Sequence, residues 1–412
     1  MRCMNEPAPA LPVTLQDIES AAKLLDGVVR YTPMVSSRVL TDRLGGPVML
    51  KCENLQRAGS FKIRGAYTRM SRLPAHQQAL GVVAASAGNH AQGVALAARL
   101  LGVRAQVFMP IGAPLPKLAA TRGYGAEIEL VGHTIDEALQ VARQRSEETG
   151  AVLIHPFDHP DVVAGQGTVG LEILQQCPDV RTVIVGVGGG GLLAGIATVL
   201  AELAPHVRVV GVQAEQAAAY PESLTQGRPI PVDSMSTMAD GIAVGCPGEV
   251  PFALVRAYVH EMVTVSEELL SRALLLLLER QKLLVEPAGA ASVAAMLDRP
   301  AVPDLQPPVV AVLSGGNVDP LLLMRVIRHG MAAAGRYLRL RVRMPDRPGS
   351  LAGLLAKLAE SDANVLEVEH ARTEPQLPIN DVEIGLWLET QGSEHCALVL
   401  RNLRAAGYEP FG

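Results

Sequence analysis

The sequence predicts an α/β protein with open, mostly parallel sheets and flanking helices, followed by a small domain with an antiparallel sheet. Most of the first 330 residues alternate between short apolar runs and Ala- and Leu-rich segments of helical length. Apolar runs without polar alternation are typical of parallel strands that are buried on both faces. After residue 336, apolar and charged residues alternate instead, as in a sheet with one solvated face. A hydrophobic content of 49% over 412 residues is enough for more than one core.

Each strand expected in the larger region ends at a glycine, a proline or a polar turn before the next helix. We predict strands over residues 82–85, 104–109, 127–131, 152–154, 183–185 and 207–212. Helices are expected over residues 91–101, 117–124, 134–148, 165–177 and 193–203. Strands that alternate with helices indicate parallel sheets, and the length of the chain allows more than one of them.

The carboxyl-terminal region has the order β-α-β-β-α-β. A strand over 338–344 exposes arginines on one face, the turn Pro345–Gly349 follows, and Ser350 is expected to cap a helix over 351–360. Strands over 364–369 and 382–388, a helix over 393–406 and a short strand over 408–411 complete a ferredoxin-like domain. We therefore expect a large region 1–330 with a small subdomain inserted at roughly 52–158, a linker 331–336 and a small domain 337–412.

Composition and charge exclude several classes of function. Lys and Arg number 36 against 41 Asp and Glu, and aromatic residues make up 3%, which disfavours binding to a nucleic-acid backbone or stacking on bases. Met1–Pro7 contains no apolar stretch of signal length, and the longest apolar run, 273–278, is too short to cross a membrane. Five scattered cysteines without a C-x-x-C favour a reducing cytoplasm, with neither a disulfide framework nor a metal site.

Two turns carry groups that suit chemistry with an amine or an anion. Lys62, in Gly59-Ser60-Phe61-Lys62-Ile63-Arg64-Gly65-Ala66, stands at an expected helix start, where partial burial would favour a neutral, nucleophilic amine. An exposed lysine is the alternative. Ser86–His90 ends a strand and opens a helix, so its backbone N–H groups suit a carboxylate or phosphate. An ordinary capped turn also explains it, and we expect His90 to be structural.

The segment Gly186-Val187-Gly188-Gly189-Gly190-Gly191-Leu192 is the most informative one. Four consecutive glycines cost conformational entropy, and they make sense where backbone N–H groups surround an anion. The segment also matches G-x-G-x-x-G, and Glu215 follows the next strand, so an NAD-dependent oxidoreductase is one interpretation. Ser314 ends a strand before two glycines, where it either contacts a heterocycle nitrogen or forms a simple turn.

Taken in order, these segments resemble the pyridoxal-phosphate (PLP) enzymes of fold type II, the tryptophan synthase β-like group, and in particular the threonine dehydratases. The resemblance spans nearly the whole chain, and the ordered set is specific. It is carried by Tyr31-Thr32-Pro33, Lys51-Cys52-Glu53-Asn54-Leu55-Gln56, Ser60-Phe61-Lys62-Ile63-Arg64-Gly65-Ala66, Ser86-Ala87-Gly88-Asn89-His90 and Glu286-Pro287-Ala288-Gly289. Residues 337–412 resemble an ACT regulatory domain, with Asp346-Arg347-Pro348-Gly349-Ser350-Leu351 as the start of its ligand loop.

The resemblance implies a role for each segment. Lys62, next to Phe61, would hold the cofactor as a Schiff base and transfer protons. Asn89 would bind the ring hydroxyl oxygen, and Ser314 would face the pyridine nitrogen. The phosphate would lie on Gly188, Gly189, Gly190, Gly191 and Leu192. The substrate carboxylate would be held by Ser86, Ala87, Gly88, Asn89 and His90, and an effector by Asp346, Pro348, Gly349 and Ser350.

The implied activity is PLP-dependent β-elimination of L-threonine to 2-oxobutanoate and ammonia. L-Serine is an expected second substrate, because a small apolar pocket discriminates a methyl group weakly. A neutral serine at the ring nitrogen favours elimination over racemisation. Ala87 stands where serine racemases of this fold carry a serine that reprotonates the substrate, and Gln213 replaces an acid of their cation site, so no metal is expected. A serine racemase or serine dehydratase of the same fold, and the oxidoreductase, remain as alternatives.

The ACT-like domain implies regulation by a small molecule. Isoleucine or valine is the expected effector if the role is biosynthetic, and AMP is a further candidate. Such domains commonly pair across subunits, which implies a homodimer or homotetramer. A non-catalytic amino-acid sensor is disfavoured, because the whole catalytic set of residues is present.

Overall fold

The computed structural model describes residues 11–297, 304–372 and 377–411. Met1–Pro7, considered above for a signal sequence, lies outside these ranges. The chain divides into two compact units, with the boundary between Leu322 and Leu323. Helix Pro320–Ala333 crosses this boundary, so that the first residues of the expected linker are helical.

Fourteen strands lie within the described ranges. They are β1 Met34–Ser36, β2 Val48–Lys51, β3 Val82–Ala85, β4 Ala105–Met109, β5 Glu127–Leu130, β6 Val152–Leu153, β7 Thr182–Gly186, β8 Arg208–Ala214, β9 Glu261–Val265, β10 Val309–Val312, β11 Tyr337–Pro345, β12 Asn364–Ala371, β13 Asp381–Glu389 and β14 Pro410–Phe411.

Sixteen α-helices lie within the same ranges. They are α1 Leu15–Leu25, α2 Arg38–Leu44, α3 Lys62–Ser71, α4 Ala75–Leu80, α5 Asn89–Leu101, α6 Leu115–Gly123, α7 Ile135–Thr149, α8 Pro160–Gln176, α9 Gly191–Leu203, α10 Ala219–Gln226, α11 Glu249–Tyr258, α12 Glu267–Leu276, α13 Pro287–Leu297, α14 Pro320–Ala333, α15 Ser350–Ala359 and α16 Ser393–Ala405. In the part of the chain that is described, none of them is long and apolar enough to span a bilayer.

A six-stranded sheet forms the centre of the first unit. Its strand order is β1-β2-β10-β7-β8-β9, and every neighbouring pair is parallel except β1 with β2. Helices α8 and α9 pack closely, because a Cβ on Gly195 would lie 2.6 Å from the backbone nitrogen of Gly167. Helix α8 begins at Pro160, earlier than expected, since the His159 ring accepts a hydrogen bond from the N–H of Asp161 and proline suits a first helical position.

A second, four-stranded sheet in the same unit has the order β5-β4-β3-β6, with all strands parallel. Its central strand β3 is buried on both faces, between a core on the α3 and α5 side and a smaller one against α7. The prediction of two open, mostly parallel sheets with flanking helices is therefore confirmed.

The second unit contains an antiparallel sheet of order β12-β13-β11-β14. Leu340 and Val342 of β11 face Leu386 and Ile384 of β13 and form the core of this unit, while the arginines of β11 lie on the other face. The expected βαββαβ order is confirmed. The cap prediction was wrong, because Gly349, with φ +91°, precedes the helix and Ser350 is its first residue.

Candidate active site

The candidate site lies at the carboxyl edge of the six-stranded sheet, where β7 and β10 end side by side. Val312 of β10 is level with Val185 of β7, so Ser314 and the glycines after Gly186 reach the same edge. Ligands bind at this edge in open α/β sheets, because the loops that leave parallel strands converge there. The register of these two strands therefore unites two segments that are about 125 residues apart in the sequence.

Backbone contacts hold the start of α3 at this edge. Ser60 pairs with Gly315 as an antiparallel bridge, and the N–H of Phe61 donates to the carbonyl of Ser314 at 3.2 Å. Ser314 itself is buried. Lys62 is the next residue in the chain, so these two contacts determine where its side chain begins.

The Lys62 side chain is half-buried at the site. Its amine donates to the carbonyl of Pro156 at 3.0 Å and lies 5.1 Å from the centroid of the Phe61 ring. Burial lowers the pKa of Lys62 to about 8, although the nearby Glu286 acts in the opposite direction. At neutral pH this amine is therefore unprotonated far more often than an exposed lysine, as a nucleophile requires.

The glycine segment forms a tight loop between β7 and α9. The N–H groups from Gly188 to Leu192 donate to no backbone acceptor among the described residues. Gly190 has φ +94°, and a Cβ there would lie 1.8 Å from the Tyr220 hydroxyl. A Cβ on Gly189 would lie 2.4 Å from the Phe157 ring. The loop thus requires glycine and offers free donors at the start of a 13-residue helix, which is an arrangement suited to an anion.

Asn89, the first residue of α5, is fixed by two side chains. Its Nδ2 donates to Oε1 of Glu286 at 2.5 Å, and its Oδ1 accepts from Nδ2 of Asn317 at 2.9 Å. A Cβ on Gly315 would lie 2.1 Å from the Glu286 carboxylate, so glycine is required at that position. Burial raises the pKa of Glu286 to about 7, and the negative charge of Asp240 acts in the same direction.

The loop from Ser86 to His90 connects β3 to α5. The Ser86 hydroxyl accepts from the N–H of Gly88 at 3.1 Å, which closes a small turn. The His90 ring is directed elsewhere, since its Nε2 contacts the carbonyl of Ile154 at 2.7 Å. Burial, together with the charge of Lys62, lowers the pKa of His90 to about 3, so its ring is neutral. The His90 side chain therefore connects α5 to the end of β6, and the implied part of His90 in holding the substrate carboxylate stays a prediction.

Three charged residues at the site received no role from the sequence. Glu286 belongs to the motif Glu286–Gly289, but no residue near it in the sequence indicated a contact with Asn89. Lys117 of α6 and Asp240 of the turn Asp240–Ile242 form an ion pair. The Lys117 amine lies 3.9 Å from the position of a Cβ on Gly88. Lys117 and Asp240 are 123 residues apart, and no spacing rule connects them.

A buried network of four charges begins two residues after Lys62. Arg64 donates from Nε and Nη2 to both oxygens of Glu53, at 2.8 Å each, and from Nη1 to Glu172 at 2.7 Å. Lys51 donates to the other oxygen of Glu172 at 2.5 Å. Two cations thus balance two anions. The network fixes the first turn of α3 against α8 and the end of β2.

Two residues considered for other ligands lie away from such roles. Glu215, the ribose-binding candidate, is exposed at the end of β8. Gln213 is buried, its Nε2 donates at 3.4 Å to the carbonyls of Val187 and Ala217, and its Oε1 accepts from the N–H of Tyr220. Within the described ranges, no three His, Cys, Asp or Glu side chains gather as metal ligands.

The effector candidates of the second unit lie together in one turn between β11 and α15. Asp346, Pro348 and Gly349 are exposed and Ser350 is half-buried. The N–H of Asp346 donates to the carbonyl of Asn380, and its carboxylate accepts from Nε of Arg372 at 2.9 Å. Their role in binding an effector stays a prediction.

Comparison with known proteins identifies both units. Residues 25–315 match the family described as pyridoxal-phosphate dependent enzyme, and residues 338–405 match the ACT domain. An L-threonine ammonia-lyase from Geobacter sulfurreducens is 49% identical over 97% of this chain and 98% of its own length. An L-threonine ammonia-lyase from Thermotoga maritima is 47% identical over 96% of this chain and 98% of its own.

Solved structures show the same fold. A threonine deaminase from T.th. has a TM-score of 0.71 and 44% identity, covering 74% of this chain and 99% of its own. A maize serine racemase has a TM-score of 0.73 and 34% identity, covering 78% of this chain and 99% of its own. The family match over residues 25–315 decides between the two interpretations of the glycine loop, in favour of PLP and against a nicotinamide nucleotide.

The residues at the sheet edge fit this cofactor. The amine of Lys62, with its lowered pKa, would suit the aldehyde of the cofactor, and the free N–H groups of Gly188 to Leu192 would suit its phosphate. Asn89 and Ser314 offer polar groups for its ring. From the family match, the shared architecture and this set of donors, we conclude that the chain belongs to the pyridoxal-phosphate dependent enzymes of fold type II and carries a carboxyl-terminal ACT domain.

Proposed function

We propose that this enzyme converts L-threonine into 2-oxobutanoate and ammonia. The observation that supports this proposal most strongly is the sequence identity of 47–49% between this chain and two proteins named L-threonine ammonia-lyase, over almost their full length. The site supports the proposal, since the Lys62 amine has a lowered pKa and interacts electrostatically with Glu286, which accepts a hydrogen bond from Asn89 of the loop Ser86–His90. L-Serine is a second substrate, because it differs from threonine by one methyl group.

Lys62 is the proposed base of the reaction. PLP, when bound, withdraws electrons from Cα of an amino acid, which makes the proton at Cα acidic. The neutral Lys62 amine accepts this proton, and its pKa of about 8 keeps it available at physiological pH. The β-hydroxyl then leaves with a proton as water, and the nitrogen is released as ammonia after hydrolysis.

Two uncharged residues favour elimination over racemisation in this proposal. Ser314 carries a hydroxyl rather than a carboxylate, so it does not stabilise a protonated ring nitrogen and limits delocalisation of the charge from Cα. Ala87 carries a methyl group in the loop that leads into α5, and a methyl group has no proton to return to Cα. Both features support loss of the hydroxyl.

The experiment is a 2-oxoacid assay with L-threonine and L-serine, combined with chiral analysis of the remaining amino acid. Wild-type protein is expected to form 2-oxobutanoate and to show a visible absorbance band of the bound cofactor. Lys62→Ala is expected to lose both. Formation of D-serine without 2-oxoacid would favour a racemase instead and would contradict the proposal.

The ACT domain supports regulation by an amino acid. Isoleucine and valine are the first candidates, and AMP is the third. Coupling requires that the effector bind two states of the enzyme with different affinities. The test compares the KM for threonine with and without each ligand, in wild type and in Asp346→Ala. An effect that survives the substitution unchanged would place the effector elsewhere.

We also infer a homodimer or homotetramer and a cytoplasmic location. The ACT domain supports the first inference, and the scattered cysteines support the second. Light scattering of the purified protein and fractionation of cells test them separately. A monomer at micromolar concentration, or recovery outside the cytoplasmic fraction, would contradict the respective inference.

A further inference from the structure

A buried ammonium group faces the loop that is predicted to hold the substrate carboxylate. Lys117 is buried, with only 8% of its side chain exposed. Its amine lies 3.9 Å from the position of a Cβ on Gly88, at the centre of the loop. Lysine is seldom buried without a specific partner or task, because desolvation of its charge is costly. The position of Lys117 therefore calls for an explanation in terms of the site.

Asp240 accounts for only part of the hydrogen-bonding capacity of Lys117. An ammonium group has three N–H donors. In the described part of the chain, the Lys117 amine donates to the Asp240 carboxylate and to no other acceptor. Asp240 is itself 53% exposed, so water satisfies much of its charge. Lys117 thus keeps donors for a second anion without having to release Asp240.

The segment that carries Asp240 connects the parts of the site. A Cβ on Gly241 would lie 3.8 Å from Nδ2 of Asn89 and 3.5 Å from Oε1 of Glu286. A Cβ on Gly188 would lie 3.1 Å from Cα of Ile242. The turn therefore runs from the glycine loop to Asn89. The ion pair holds Lys117, which comes from the smaller sheet region, against this turn.

The balance of charges at the site also indicates a task for Lys117. The charged groups that act on one another at the site are the carboxylates of Asp240 and Glu286 and the amines of Lys117 and Lys62. In the proposed reaction the Lys62 amine is neutral when it accepts the proton at Cα, so it supplies no positive charge for the carboxylate. Of the cations named at this site, Lys117 then remains to neutralise the negative charge of an amino-acid substrate.

We propose that Lys117 binds the substrate carboxylate, together with the loop Ser86–His90, and that Asp240 orients the Lys117 amine. The inference deepens the proposed function and rests on it for the identity of the substrate. Lys117 is in these terms a substrate-binding residue, and Asp240 is a positioning residue.

The test measures binding to the holoenzyme without turnover. L-2-Aminobutanoate is threonine without its hydroxyl group, so it has no leaving group, and L-2-aminobutanamide lacks the carboxylate as well. Dissociation constants for both are obtained from the change in cofactor absorbance. In Lys117→Met we expect the constant for the carboxylate to rise roughly 10- to 100-fold, the range of a hydrogen bond to a charged group, and that for the amide to change less than about threefold. Lys117→Arg should restore much of the preference.

Lys23→Met is the matched control, because it removes an exposed lysine of the same unit. It should leave both dissociation constants unchanged. Asp240→Asn keeps the Lys117 charge but weakens the ion pair that orients it, so it should lower the preference for the carboxylate by a smaller factor than Lys117→Met does. This variant keeps the inference testable if Lys117→Met folds poorly. Equal weakening of both ligands in Lys117→Met, or an unchanged preference in Asp240→Asn, would overturn the inference. Wild-type protein that prefers the carboxylate but makes no 2-oxobutanoate from threonine would overturn the proposed function alone.

Discussion

The buried charge network beside Lys62 makes a quantitative prediction about stability. Glu53→Gln leaves Arg64 and Lys51 facing the single carboxylate of Glu172, and Arg64→Met leaves two carboxylates facing Lys51. Breaking a buried ion pair typically costs about 3–5 kcal/mol. The double variant keeps Lys51 and Glu172 as a balanced pair, so its cost should be smaller than the sum of the single costs, by about 0.5–3 kcal/mol.

The assay is thermal unfolding followed by circular dichroism. The first unit spans 322 residues, and unfolding entropy is about 2.1 cal/mol/K per residue. Each single substitution should therefore lower Tm by roughly 4–7 °C. Glu127→Gln is the control, because it breaks an exposed pair with Arg104 and should shift Tm by less than roughly 1 °C. Strictly additive shifts in the double variant would refute the reasoning that the charges act as one network.

Three further predictions concern the site. Gly190→Ala should lower the cofactor content, measured by absorbance, at least about tenfold, because the left-handed backbone and the Tyr220 hydroxyl exclude a Cβ at this position. Gly123→Ala is the control, since a Cβ on Gly123 would meet open space. Equal losses of cofactor in the two variants would contradict the prediction. Rebinding of PLP to apoprotein should accelerate through a single step near pH 8, where Lys62 loses its proton; a step near pH 10.5 would contradict the pKa of Lys62. Burial raises the pKa of Glu286 to about 7 in the folded chain, while the unfolded chain releases this proton near 4.5, so the stability of the wild-type protein should fall as the pH rises between these values. Glu286→Gln should flatten the slope of Tm against pH, and equal slopes in the two proteins would refute this prediction.

The class of fold could be predicted from the amino-acid sequence, for a local reason. Strands such as Val183–Val185 and Val82–Ala85 contain no polar alternation, and this pattern is typical of strands with both faces buried. In β11 the arginines alternate with apolar residues, and this alternation predicts a sheet with one solvated face. Both predictions depend on neighbouring residues alone.

The segments that carry the chemistry were also visible in the sequence. Four consecutive glycines are costly unless the backbone is needed, and the structure shows that a Cβ at Gly189 or Gly190 would meet an aromatic ring or a hydroxyl. The start of a helix at Lys62 was likewise indicated by the residues that precede it, whereas α5 begins at Asn89, two residues before the expected start at residue 91. The helix limits were less predictable: α8 begins at Pro160, because the cap comes from the His159 ring.

The way in which charges share the site emerged from the folded chain alone. Lys117, Asp240 and Glu286 come from three separate elements, and their effects on one another depend on distances that follow from the packing of α6 and α13 around the sheet edge. The pKa of Lys62 is lowered by burial, and burial is a property of the assembled fold. Electrostatic interactions act through space, so residues that are distant in sequence acquire their chemistry only once the chain has brought them together.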